Sequence, residues 1–283
     1  MLKILRYIRH KTFSRFYIVW VFLGNFYRYV LKILNINFST IHQIQKKSIK
    51  LHANFAFSNF EYWGKQHNNL FNTYLKIAKT SKCFFDIGAH IGIVTIPVAL
   101  NMKSSGLVYS FEPSKKKLFF LKYHVKENNI KNVKIIDKMV SSKTKSNVMF
   151  YEANETTGMN SIIKINEKNV TTMTKVKSVS LDDFCKSKNL KPDILKVDIE
   201  GSEVDLLIGA KKIISKQKPI IFLSYHTKHL KKLGYKTNDM LEIIKELKYV
   251  AYDEKHNKIE NFTNKEYILA YYKTNITKLL RDN

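Results

Sequence analysis

The stretch Cys83-Phe84-Phe85-Asp86-Ile87-Gly88-Ala89-His90-Ile91-Gly92-Ile93-Val94-Thr95 constrains this chain most. Cys83 to Ile87 is apolar except for Asp86, lies between Lys82 and Gly88, and reads as a buried central parallel strand. Gly88 and Gly92 bracket a tight turn, where a missing Cβ lets backbone approach a ligand or pack closely. The chain has only nine glycines, so two within five residues need a reason. The run from there to Leu100 reads as a helix whose free N-terminal amides face the turn.

This D-x-G-x-x-x-G turn differs from a dinucleotide fingerprint. It has fewer glycines and leads with an acid, which would repel a pyrophosphate. A cationic or hydroxyl-bearing ligand suits it better, and S-adenosylmethionine has a sulfonium, an amino group and no phosphate. An ordinary strand-to-helix turn without a ligand is the alternative. Gly106 to Pro113 reads as the next strand and ends in Glu112. An acid about 20 residues past a glycine turn, at a strand end, is where such sheets hold ribose hydroxyls. Ser114 then caps a helix from Lys115 to Asn128.

A third landmark is Asp193-Ile194-Leu195-Lys196-Val197-Asp198-Ile199-Glu200-Gly201-Ser202-Glu203. It reads as another buried strand, with Lys196, Asp198 and Glu200 at period two and therefore on one side. Three charges there are costly unless they pair or face a cleft. A structural ion pair and a ligand site both satisfy that condition. Ser180 reads as the cap of a helix whose first-turn Asp182 and Asp183 complement its dipole. Ser202 to Ser215 reads as the helix after the charged strand. Pro219 to Ser224 reads as a further strand that delivers His226, the side chain best suited to proton transfer near neutral pH.

FFDIGAHIG, YSFEPS, SLDDF and ILKVDIEGSE, followed by a strand ending in a His, together resemble the FkbM-type S-adenosylmethionine-dependent methyltransferases. The resemblance covers residues 81 to 272. It implies an α/β class I methyltransferase (Rossmann-like) fold, a seven-stranded mixed sheet with helices on both faces. It also implies O-methylation of a sugar, glycolipid or related glycan hydroxyl. On that reading Asp86, Gly88, Ala89, His90, Gly92, Glu112 and Val140 bind S-adenosylmethionine. Asp198 or His226 handles the acceptor proton, and Lys196 and Glu200 fix their geometry. Asn160 and Ser161 fall in a turn-rich insertion that lies over the site in the family. No metal is required, though Asp198 and Glu200 do not exclude one. The chain departs from the family in having His90 where Asn is usual, and Ser224 where Glu is common.

The chain of 283 residues has room for one α/β domain, residues 81–275, after a helical lead-in at 56–80 and an extension at 1–55. Its net charge of +26 implies an anionic partner, although the abundance of Lys, Asn and Ile also fits an AT-rich genome. Two cysteines, Cys83 and Cys185, form neither a disulfide framework nor a zinc quartet, which points to a reducing, cytoplasmic setting. Met1 to Phe60 contains no acid and ten Lys or Arg residues. The apolar run Phe16 to Tyr27 is short of the roughly 20 residues that span a bilayer. Its sequence predicts an amphipathic helix that lies on an anionic membrane surface through residues 1–50, packs on the domain or on a second subunit, or spans the membrane. In the first case Trp20, Tyr27 and Tyr29 sit at headgroup level and the protein is peripheral on the membrane. The charge also leaves open an RNA methyltransferase, though no RNA-binding module is recognisable and nucleic acid is the weaker partner. A non-catalytic scaffold that retains the fold is the remaining alternative.

Overall fold

A computed structural model describes residues 17–44, 46–60, 68–153, 170–263 and 265–281. Asn160, Ser161 and the first 16 residues of the extension lie outside that set.

The N-terminal part holds α1 (Tyr17–Ile33), the hairpin β1 (Ser39–Ile44) and β2 (Lys47–His52), and α2 (Phe71–Ala78). There follow β3 (Cys83–Ile87), α3 (Thr95–Asn101), β4 (Leu107–Phe111), α4 (Lys115–Glu127) and β5 (Val133–Ile136). Three strands, β6 (Met139–Val140), β7 (Lys145–Ala153) and β8 (Val170–Val179), form a small separate sheet. The chain then runs through α5 (Leu181–Lys188), β9 (Ile194–Val197), α6 (Glu203–Ile208), α7 (Lys211–Gln217), β10 (Ile220–Ser224) and α8 (Thr227–Lys232). It finishes with α9 (Thr237–Glu246), β11 (Tyr249–Tyr252), β12 (Glu266–Tyr271) and α10 (Ile276–Arg281).

The main sheet has seven strands in the order β11-β12-β10-β9-β3-β4-β5. β12 runs antiparallel to both neighbours, and the other pairs are parallel. The chain builds outward from β3 through β4 to β5, then returns to lay β9 on the other side. The order therefore reverses between β3 and β9, and a crevice opens beyond their carboxyl ends.

Alternation along the strands divides the core into two layers. Phe85, Ile87, Leu195, Val197 and Leu223 face one way, onto Phe184 of α5 and Leu206 and Leu207 of α6. Phe84, Ile194 and Phe222 face the other way, onto Phe71 and Tyr74 of α2 and Ile96 and Val98 of α3. Cys83 and Cys185 are buried free thiols, and burial pushes each up to about 12. They are packed as small apolar groups.

Four expectations need correction. First, the extension is only partly helical, because β1 and β2 pair as a hairpin. The inward face of β1 carries polar Thr40 and His42, bonded to each other at 2.9 Å, beside Ile44. Strand β2 leans on α4, where the His52 amide donates to His124 Nε2 (2.9 Å) and the His124 ring bonds the Ile91 carbonyl (2.7 Å). Second, Trp20 and Tyr27 turn toward the domain, with Tyr27 edge-on to Phe57 at 5.0 Å; only Tyr29 points out. Third, the helix predicted over 202–215 is two helices broken at Gly209. A Cβ there would stand 2.3 Å from the Ser141 carbonyl oxygen. Asp182, which the sequence ties to its own helix dipole, also accepts the first-turn amides of Lys212 and Ile213 in α7. Fourth, β9 ends at Val197, so strand alternation does not set the direction of Glu200.

The Gly209 contact yields a direct test. Gly209→Ala drives a side chain into backbone, and overpacking of this kind costs about 1–3 kcal/mol. The urea midpoint of the variant is expected to fall accordingly at unchanged slope. An unshifted midpoint means the two helices are not held against Ser141.

Candidate active site

The crevice is organised by a buried ion pair. Asp86 and Lys196 are in register across β3 and β9. Lys196 Nζ stands 3.2 Å from Asp86 Oδ1, with side chains 6% and 0% exposed. Thr95, in the first turn of α3, donates to Asp86 Oδ2 at 2.6 Å. Lys196 also donates to the Gly88 carbonyl (3.2 Å) and lies 3.8 Å from Asp198. Burial lowers the pKa of Lys196, but Asp86 and Asp198 outweigh it and leave the value raised. The ammonium is therefore retained.

Above this pair the two strand exits cross. Gly88 has φ +82°, and a Cβ on it would lie 1.9 Å from the Asp198 carbonyl oxygen. No other residue permits that crossing. Beyond Asp198 the chain bends back through Glu200 at φ +53° and Gly201 at φ +110°. That left-handed turn, rather than strand pleating, returns Glu200 to the side of Asp198.

His226 enters from the end of β10. Its Nδ1 bonds the fully buried carboxylate of Glu203 at 2.5 Å, and Glu203 also accepts the Gly201 amide at 3.1 Å. The other ring nitrogen, Nε2, lies 3.6 Å from both Asp198 and Glu200. His229 stacks on His226 with centroids 5.7 Å apart and places Nδ1 3.0 Å from Glu200. Burial disfavours a proton on His226, but the Glu203 bond and three carboxylates prevail and raise it to about 9. Asp198, Glu200 and His226 offer ligand atoms within 4.8 Å of one another, a spacing that a divalent cation could share.

Two clefts meet at Asp198 and Glu200, and His226 lines neither of them. One is lined by Gly88, Glu112, Lys138, Met139, Val140 and Asp198. The second, of about 540 Å³, lies between α1 and the sheet and reaches Trp20, Arg28, Phe57, Lys196, Asp198 and Glu200. His90 lines both. Its amide donates to Glu112 (2.8 Å), whose other oxygen accepts the Ser114 amide (2.9 Å). Burial pushes Glu112 up to about 7 against those two amides. Burial also holds the His90 ring well below its usual range, helped by Lys117 and Lys196, so the ring is neutral. Its buried Nε2 has no hydrogen-bond partner among the described residues.

Of the cofactor residues expected from sequence, Gly88, His90, Glu112 and Val140 line the first cleft, and Ala89 lines the second. Asp86 and Gly92 line neither. Asp86 is enclosed by Thr95 and Lys196, and Gly92 (φ +92°) packs beneath Leu121 of α4. Asp86 thus acts on the crevice through Lys196. Lys196, Asp198, Glu200 and His226 converge as described.

The sequence reading missed Glu203, His229 and Glu266. Glu203 stood in the EGSE run without a role. Glu266 is opposite Ser224 in the β10–β12 register. Burial pushes it up to about 7, with Asp198 adding to the rise and the Leu70 amide and Lys196 opposing it. A carboxylate thus reaches this region from the strand beside Ser224.

The first cleft fits a nucleoside with a cationic tail. A carboxylate ends β4, apolar Met139 and Val140 wall the far side, and the acids Asp198 and Glu200 line the cleft as well. These features define a class I methyltransferase, for which S-adenosylmethionine is the methyl donor. The methyltransferase FkbM domain matches residues 86–251, more than half of the chain. The chain belongs to that family.

No curated protein sequence matches it. Solved structures similar to it include a methyltransferase FkbM from Methylobacillus flagellatus KT, at 17% identity and TM-score 0.44. That match covers 68% of this chain and 44% of the other, so the chain spans under half the length of that relative. Another is a precorrin-6y C5,15-methyltransferase from Geobacter metallireducens GS-15, at 13% identity over 74% and 90% of the two chains, TM-score 0.41. A third is an O-methyltransferase from Bacillus cereus in complex with SAH, at 13% identity over 71% and 78%, TM-score 0.40.

Two stability measurements follow from the geometry. Asp86→Asn strands the Lys196 ammonium and is expected to cost about 3–5 kcal/mol by urea unfolding. The double variant Asp86→Leu/Lys196→Met is expected to recover most of that loss; equal loss in both variants counts against the ion pair. His226 is raised above its unfolded value near 6.5, so it stabilises the fold fully below about pH 6.5. That contribution is lost as pH rises through about 9. Wild-type stability should fall across that window, and a His226→Asn variant should show a flatter profile.

Proposed function

We propose that the chain transfers the methyl group of S-adenosylmethionine to a hydroxyl of a sugar, glycolipid or related glycan. The observation that carries this reading is that Asp198 and Glu200 line both clefts while His226 Nε2 stands 3.6 Å behind each of them. When bound, S-adenosylmethionine supplies an electrophilic methyl carbon on a sulfonium.

Glu112 receives the ribose hydroxyls on the lone pairs that its two amide bonds leave free. Met139 and Val140 give the base an apolar slot. Asp198 and Glu200 accept hydrogen bonds from neighbouring acceptor hydroxyls, a pairing that suits a polyol ring. His226 Nε2 would take the proton of the reacting hydroxyl while the methyl–sulfur bond of a bound donor breaks and S-adenosylhomocysteine leaves. Glu203 holds the ring by Nδ1–H and stabilises the imidazolium that forms. Asp198 thus orients the acceptor, and His226 is the base. Lys196 keeps Asp198 in place from below. The acidic rim favours reactants with a positive tail over phosphorylated ones. The RNA reading rests on net charge alone.

Two measurements test this. Calorimetric titration with S-adenosylmethionine should show saturable binding, weakened on the order of 10- to 100-fold in Glu112→Ala. Folded protein that binds nothing would falsify the reading. Because a proton on His226 blocks the base, kcat/KM should rise about tenfold per pH unit up to about 9 and then level. His226→Asn should lower kcat by roughly a hundredfold or more, with cofactor affinity kept. A flat pH profile with full activity in that variant removes His226 from the proton path.

A further inference from the structure

Helix α1 has two faces with different surroundings. Its inner face carries Trp20, Gly24 and Arg28 into the second cleft, and Leu31 is buried. Its outer face carries Ile18, Phe22, Phe26, Tyr29 and Ile33, each 58–82% exposed. These five recur at spacings of four, four, three and four, so they form one stripe along the helix. Leu34, Ile36 and Phe38 continue the apolar surface past the helix end. A contiguous exposed apolar stripe of this kind marks an interaction surface.

Charge selects the occupant. From Tyr17 to Phe60 the chain has no Asp or Glu, and besides the cleft-lining Arg28 it carries Lys32, Lys46, Lys47 and Lys50. A second copy on the same face would bring like charges together, whereas an anionic surface neutralises them. No described helix is long and apolar enough to cross a bilayer. A helix with an apolar face, aromatic residues and cations suits the interfacial plane.

We propose that α1 beds its outer face into an anionic lipid surface. The same helix walls the acceptor cleft on its inner side, so docking brings the mouth of that cleft to headgroup level. The acceptor is then a saccharide carried on a lipid. This rests on the methyltransferase reading above and specifies its acceptor.

The test is co-sedimentation of the full chain with vesicles. Vesicles one-third phosphatidylglycerol and two-thirds phosphatidylcholine should bind at least about tenfold more tightly than pure phosphatidylcholine, with binding falling as salt rises. The variant Phe22→Ser/Phe26→Ser should lose at least about tenfold in vesicle affinity, with S-adenosylmethionine affinity unchanged by calorimetry. With S-adenosylmethionine labelled in the methyl group and membranes of the producing cell, label should enter the lipid-extractable fraction. Wild-type protein that ignores both vesicles overturns the proposal, all the more if light scattering shows a dimer that the double variant dissociates. Label confined to water-soluble products overturns the lipid-carried acceptor. Each of these failures with cofactor binding intact leaves the methyltransferase reading standing; loss of cofactor binding in folded protein strikes that reading instead.

Discussion

The buried pair of Asp86 and Lys196 is the interaction on which the crevice depends. At 3.2 Å and an effective dielectric near 20, the attraction is roughly 5 kcal/mol. Desolvation costs several kcal/mol for each ion, so the pair alone gives little net stability. Its effect is geometric. It ties the exits of β3 and β9 together at the switch point, and Lys196 also grips the Gly88 carbonyl. The crossing of Gly88 over Asp198 follows, and with it the direction in which Asp198 points.

From that fixed point the site is built by successive supports. Glu203 holds His226, and the left-handed turn at Glu200 and Gly201 folds the chain back so that His229 packs against it. On the other side, Glu112 secures the turn through the His90 amide. His124 links the same turn to the N-terminal hairpin through Ile91 and His52. Burial lowers His124 to about 4, so it stays neutral and can accept the His52 amide. The extension is thus joined to the glycine turn by hydrogen bonds, and it supplies one wall of the larger cleft.

The sheet was legible because its strands are short apolar runs with sharp ends, and Ser114 and Ser180 cap the helices that follow. The hairpin was not, because its buried face includes Thr40 and His42 and its alternation looks polar. The break at Gly209 was hidden because its cause, the Ser141 carbonyl, is 68 residues away in sequence. Among site residues, Lys196, Asp198 and His226 could be read from strand ends. Glu200 was read correctly as a neighbour of Asp198 but for the wrong reason, since pleating stops at Val197. Glu203 escaped because it opens a helix, where an acid has an ordinary explanation in the helix dipole.

The facing positions Ser224 and Glu266 carry a wider consequence. Two residues opposite each other on adjacent strands address the same volume, so a charge can be moved from one to the other while the field in that volume persists. Moving the carboxylate from Glu266 to position 224 would carry it one strand across the ladder and leave its negative field beside Asp198 and Lys196.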